Sequence, residues 1–111
     1  MARGDVLMVQ LPATDARETE GTHPAIALQT NADNDQPMML VAPLTSNPRA
    51  MRYRYVVQIE PDKANGLSVP SVCMVFQTRA IDRARIVRKL GQLSTFDMQR
   101  IDDELRRMLS L

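Results

Sequence analysis

The chain has 111 residues, 44% hydrophobic, 24% charged and 4% aromatic, with a formal net charge of +1. That length supports one hydrophobic core, so residues 1–111 read as a single domain, too apolar to be disordered and without the ~20-residue apolar stretch that spans a bilayer. A lone cysteine, Cys73, excludes an internal disulfide framework, and one cysteine with one histidine makes a Cys/His zinc site implausible; no metal or other cofactor is expected.

The N-terminus, Met-Ala-Arg-Gly-Asp, leads directly into an apolar run from Val6 to Leu11. That leaves no room for a signal peptide and predicts a cytoplasmic protein whose first element is a buried strand. Residues 12–24 are polar and read as a long loop ending at His23-Pro24, and Ala25 to Leu28 as a second strand. Asn31 to Asp35 is a turn cluster, because Asn and Asp side chains hydrogen-bond their own backbone. Met38 to Leu44 is a third strand. Residues 53–59 alternate, with Tyr53, Tyr55, Val57 and Ile59 on one face, which places both tyrosines in the core. Asn65-Gly66 marks a turn before short strands at Leu67 to Val69 and Val72 to Phe76. Residues 83–93 are ambiguous: Ile86, Leu90 and Leu93 have helical spacing, whereas Gly91 and the β-branched pair Ile86-Val87 oppose a helix. Ser94-x-x-Asp97 resembles a capping box, and Met98, Ile101, Leu105 and Met108 then predict an amphipathic helix over about 95–109. Many short strands closed by one helix point to a small β-barrel or coiled sheet, mainly β within the α+β class.

Charge is unevenly distributed. Residues 1–35 carry a balance of −4, residues 36–59 hold Arg49, Arg52 and Arg54 with no acid, and residues 79–89 carry +4. Arginine supplies 12 of the 14 basic residues and suits bidentate contact with phosphate. Two basic segments on a neutral chain fit one patch for a polyanion such as RNA, and equally two solvated strand faces. Cys73 lies in an apolar run and reads as a buried inert thiol. Met51, beside Arg49 and Arg52, is placed to line a groove.

Seven pieces recur in a familiar order: Arg3-Gly4-Asp5-Val6; Glu18; Gly21-x-x-Pro24-Ala25; Ala42-x-Leu44-Thr45-Ser46; Gly66-Leu67 before Val69; Gln77-x-Arg79-x-Ile81-Asp82; and Gly91-x-Leu93. In this order and spacing, over nearly the whole chain, the sequence resembles the MazF/PemK toxins of bacterial toxin–antitoxin pairs. The resemblance implies an SH3-like β-barrel with a C-terminal helix, usually a homodimer. It implies metal-independent, sequence-selective cleavage of single-stranded RNA that stops translation and growth. The inhibitor it implies is an antitoxin whose disordered tail covers the active groove.

Two catalytic positions are implied as well: an Arg just before the Pro of the second strand, and a Thr after the third strand. Thr45 matches the second. The first is His23 here, the chain's most informative departure from the family. Cleavage by 2′-OH attack gives a 2′,3′-cyclic phosphate and a 5′-hydroxyl, and it needs a proton acceptor, a proton donor and groups that stabilise the phosphorane. Histidine exchanges a proton near neutral pH, which arginine does not. His23 is therefore expected to act in acid–base catalysis while Thr45 donates a hydrogen bond to the phosphate. The missing permanent charge would come from Arg17, Arg49 or Arg79. Glu18 would orient or neutralise the first loop, and Ser46, Arg52 and Gln77 would help position RNA. Toxins of the same barrel type that block DNA gyrase, and a degenerate homologue that only binds antitoxin, are the alternatives the same resemblance leaves open.

Overall fold

A computed structural model describes residues 1–11, 21–30 and 35–111. The apolar runs at the start of the chain form three antiparallel neighbours, β1 (Asp5–Leu11), β2 (Gly21–Ala27) and β3 (Met38–Thr45). Both faces are covered over most of β1 and over the inner parts of β2 and β3, with Met38 and Leu40 exposed, which is why these sequences are near-continuous rather than alternating. Val6 stands opposite Ile26, which stands opposite Ala42, and this row enters a first core with Leu44. Leu7, Val9 and Leu11 face the other way into a second core with Ala25, Ala27, Met39 and Val41.

The remaining elements cap these two faces. β4 (Val56–Ile59), β5 (Ser71–Met74) and the helix α1 (Thr95–Leu109) close the first core through Val57, Ile59, Cys73, Met98 and Ile101. β6 (Arg79–Asp82) and β7 (Ile86–Gln92) cover the second with Ile81 and Ile86. β3 pairs with β2, with β5 through Leu44 and Thr45, and with β6 through Met38 to Val41. The sheet runs β4-β5-β3-β2-β1-β7 and coils like a barrel, yet β4 and β7 do not pair, so the expected barrel stops short of closure.

The turn after β4 spans that opening. Asn65 is fully buried; its Oδ1 accepts from the Asp62 and Leu67 amides, and its Nδ2 donates to the Glu60 carbonyl at 2.8 Å. Asp62 Oδ1 in turn accepts from the amides of Ala64 and Asn65, each at 2.8 Å. The knotted turn docks on β7, where Gln92 N donates to Ala64 O at 2.8 Å. Its neighbours approach too closely for a side chain: a Cβ on Gly91 would overlap the Ala64 carbonyl oxygen, and one on Gly66 (φ +71°) would overlap that of Leu90.

Three sequence expectations give way here. Leu67 to Val69 forms no strand, because the Asn65 knot commits the Leu67 amide. The ambiguous stretch 83–93 is strand β7 after a 3-10 turn at Arg83–Arg85. The alternating run 53–59 holds only a four-residue strand: Tyr53 caps a 3-10 helix (Pro48–Arg52) and is 47% exposed, and Tyr55 takes φ 60°. Helix α1 forms as expected. Ser94 Oγ accepts from Asp97 N at 3.1 Å, while the Asp97 side chain pairs with Arg100 rather than completing the box. Its buried face is Met98 and Ile101, and no helix among the described residues is long and apolar enough to cross a membrane.

Cys73 lies fully buried in the first core, and burial pushes its thiol up from 9.0 to about 12. The unfolded chain thus loses this proton near pH 9, while the folded chain keeps it to about pH 12. Stability from this group is intact below pH 9 and falls as pH rises across that window, by up to about 4 kcal/mol. Urea unfolding from pH 8 to 11 should show a steeper alkaline loss for the natural protein than for Cys73→Ala. Iodoacetamide should label the thiol only after denaturation.

Candidate active site

Gly21, at φ +87°, brings the chain into β2 and sets His23 opposite Val9 and Pro24 opposite Met8. His23 is therefore a half-buried strand residue rather than the last member of a loop. Thr45 ends β3. Its Oγ1 accepts from Asn47 N at 3.2 Å, and Asn47 Oδ1 accepts from Arg49 N at 3.0 Å, capping the 3-10 helix that Pro48 begins. With a lone pair committed to the backbone, the Thr45 hydroxyl keeps its proton for an outside acceptor.

His23 and Thr45 line one cleft of about 320 Å³. Met8, Pro24, Leu44 and Leu90 form apolar walls, and the Asn65 knot presents Gly66 to Val69 on one side. Ser46, Ser68, Ser71 and Arg88 add polar groups. No carboxylate is present among the described lining residues, and Arg88 is their one permanent cation. Such a cleft favours an anion with an apolar or planar neighbour, which is the chemistry of a nucleotide.

Two further depressions adjoin it. One, about 380 Å³, shares Ser46, Val69 and Ser71 with the cleft and is lined by Pro48, Met51 and Gln58. The other, about 260 Å³, shares Thr45 and holds Asn47, Arg49, Arg52 and Tyr53. Arg52 donates to the Tyr53 hydroxyl at 3.1 Å, and this bond raises the guanidinium pKa further above its ordinary value. Gln77 and Arg79 lie outside the cleft, in a smaller groove of about 190 Å³ with Phe76 and Thr78. Tyr53 and Phe76 pack at a 48° tilt with ring centroids 5.2 Å apart and join the Arg52 and Arg79 regions.

The structure thus brings together His23, Thr45 and Ser46, sets Arg49 and Arg52 alongside, and leaves Gln77 and Arg79 in a separate groove. Arg17 and Glu18 lie outside the described residues. Two features escaped the sequence reading. Tyr53, expected in the core, is an exposed ring beside Arg49 and Arg52. Arg88 was visible only as one charge in the run 79–89, because nothing in that run announces which arginine lines the cleft.

Comparison with known proteins concerns the chain as a whole. Residues 2–109 match the family described as PemK-like, MazF-like toxin of type II toxin–antitoxin system. The chain is 30% identical to the endoribonuclease MazF of Staphylococcus saprophyticus, over all of this chain and 92% of that one. Among solved structures it is similar to MazF from Deinococcus radiodurans, with TM-score 0.84 and 21% identity over 100% of this chain and 97% of that one. It is also similar to a mycobacterial endoribonuclease solved with its cognate antitoxin, with TM-score 0.78 and 20% identity over 100% and 96% of the two chains.

Proposed function

Because the chain belongs to the PemK-like, MazF-like toxins of type II toxin–antitoxin systems, we propose that it is an endoribonuclease that cuts single-stranded RNA without a metal. The observation that carries this reading is the meeting of His23 and Thr45, from two different strands, in one cleft with no carboxylate among its described lining residues. RNA lies with a phosphate between them. His23 accepts the proton of the neighbouring 2′-hydroxyl as its oxygen bonds to phosphorus, and Thr45 donates a hydrogen bond to a non-bridging oxygen. The bond from phosphorus to the 5′-oxygen breaks, and that oxygen takes a proton from water. The products are a 2′,3′-cyclic phosphate and a 5′-hydroxyl, and the imidazolium returns its proton to solvent.

Partners follow from the same reading: an antitoxin whose extended tail competes with RNA for the cleft, and a second copy of the chain in a cytoplasmic homodimer. Arg49, Arg52 and Tyr53 hold the RNA on the Thr45 side through backbone charge and base stacking.

The deciding experiment is cleavage of a long single-stranded RNA in EDTA, with sequencing of the new 5′ ends. Cuts at one short motif with 5′-hydroxyl ends are expected. Thr45→Ala should lower the rate about 10²-fold, the scale for losing one donor to the developing charge, and Thr45→Ser should keep most of it. Folded protein that leaves RNA intact but blocks DNA supercoiling would replace this reading with a gyrase-directed toxin.

A further inference from the structure

β7 carries two bulges against β1: Leu90 is extra between the pairs Val6–Gly91 and Leu7–Lys89, and Val87 is extra between Met8–Arg88 and Val9–Ile86. In a regular strand, residues 86 and 88 would share a face. The bulge at Val87 separates them. Ile86 packs into the second core beside Val9, while Arg88, opposite Met8, lines the cleft with His23 and Thr45.

Five other basic side chains are already engaged in ion pairs. Lys89 pairs with the buried Asp5 at 3.3 Å, and Arg3, Arg100, Arg106 and Arg107 each pair with a carboxylate on α1. Arg88 makes no ion pair among the described residues. An arginine that lines a cleft with no carboxylate among the described residues can offer its guanidinium fork to an incoming anion.

We propose that Arg88 binds the RNA phosphate seated between His23 and Thr45 and supplies there the permanent positive charge that His23 itself does not. This rests on the proposed cleavage reaction and assigns it a third residue. The charge grows on the non-bridging oxygens as the phosphorane forms, so a fixed guanidinium acts mainly on kcat.

The test compares Arg88→Gln and Arg88→Lys with the natural protein and with Arg107→Gln, a charge loss on α1 away from the cleft. Arg88→Gln should lose about 10²–10³-fold in kcat with a much smaller change in KM, Arg88→Lys should lose less, and Arg107→Gln should match the natural enzyme. In a His23→Arg background, where position 23 carries the charge, the same Arg88→Gln change should cost markedly less. Equal losses in both backgrounds, or an unchanged kcat in Arg88→Gln, would overturn the assignment while leaving the cleavage reaction standing. If the natural protein cuts nothing, the cleavage reading fails, and Arg88 is judged on binding of single-stranded RNA alone. There, the slope of log affinity against log salt should fall by about 0.7 in Arg88→Gln, the release expected for one phosphate contact. An unchanged slope overturns the assignment by that route as well.

Discussion

Replacing His23 by alanine is expected to slow RNA cleavage by about 10²–10⁴-fold, the usual range for removing a positioned acid–base group. The fold should survive, because His23 is only half-buried and stands at the start of β2, outside both cores. Urea midpoints close to the natural protein would separate chemical loss from unfolding. The pH profile discriminates further. A base that must be neutral to accept the 2′-hydroxyl proton makes the rate fall on the acid side. The residual activity of His23→Ala should have lost that limb. His23→Arg supplies charge without an exchangeable proton, so its profile should also be flat. A natural enzyme with a level profile from about pH 5.5 to 8 would remove His23 from proton transfer.

The second large effect concerns stability. Gly91→Ala should cost more than about 4 kcal/mol, beyond the range of most substitutions. A Cβ there would overlap the Ala64 carbonyl oxygen and lie 2.6 Å from the Asn65 carbonyl carbon. Those are backbone atoms of a turn that hydrogen-bonds tightly to itself, so they do not step aside as a flexible side chain would. Relief requires the turn to leave β7, which breaks the Gln92–Ala64 bond and exposes the cleft wall at Gly66 to Val69. Asn65→Ala should loosen the same turn from within. It strands the Leu67 and Asp62 amides and the Glu60 carbonyl, at about 1–3 kcal/mol for each group left unpaired in the interior. Urea unfolding measures both; a Gly91→Ala midpoint equal to the natural one would contradict the close approach.

What the sequence revealed and what it concealed have separate physical causes. β1 to β3 were legible because strands with both faces buried are continuous in apolar residues, and α1 because Ser94 and the Met98–Ile101–Leu105–Met108 spacing state its start and its face. β7 was not, because its two extra residues break the period of two: Ile86, Leu90 and Leu93 have helical spacing in the sequence, yet Ile86 packs on the second core and Leu90 and Leu93 on the first. Alternation at 53–59 misled for a local reason. The 3-10 helix and the left-handed Tyr55 use up the first half of the run before pairing begins at Val56. The positions of His23 and Thr45 followed from family likeness alone, since a His-Pro pair and a strand-ending Thr-Ser have no chemistry of their own. Arg88 could not be singled out, because its direction depends on a bulge that composition does not encode.

The cleft draws on Met8, on His23 and Pro24, on Thr45, on the turn at Gly66 to Val69, and finally on Arg88 and Leu90. During synthesis, residues 1–87 have therefore all been made before the last wall exists. A truncated product ending anywhere before β7 lacks that wall, and it lacks α1, whose Met98 and Ile101 complete the first core.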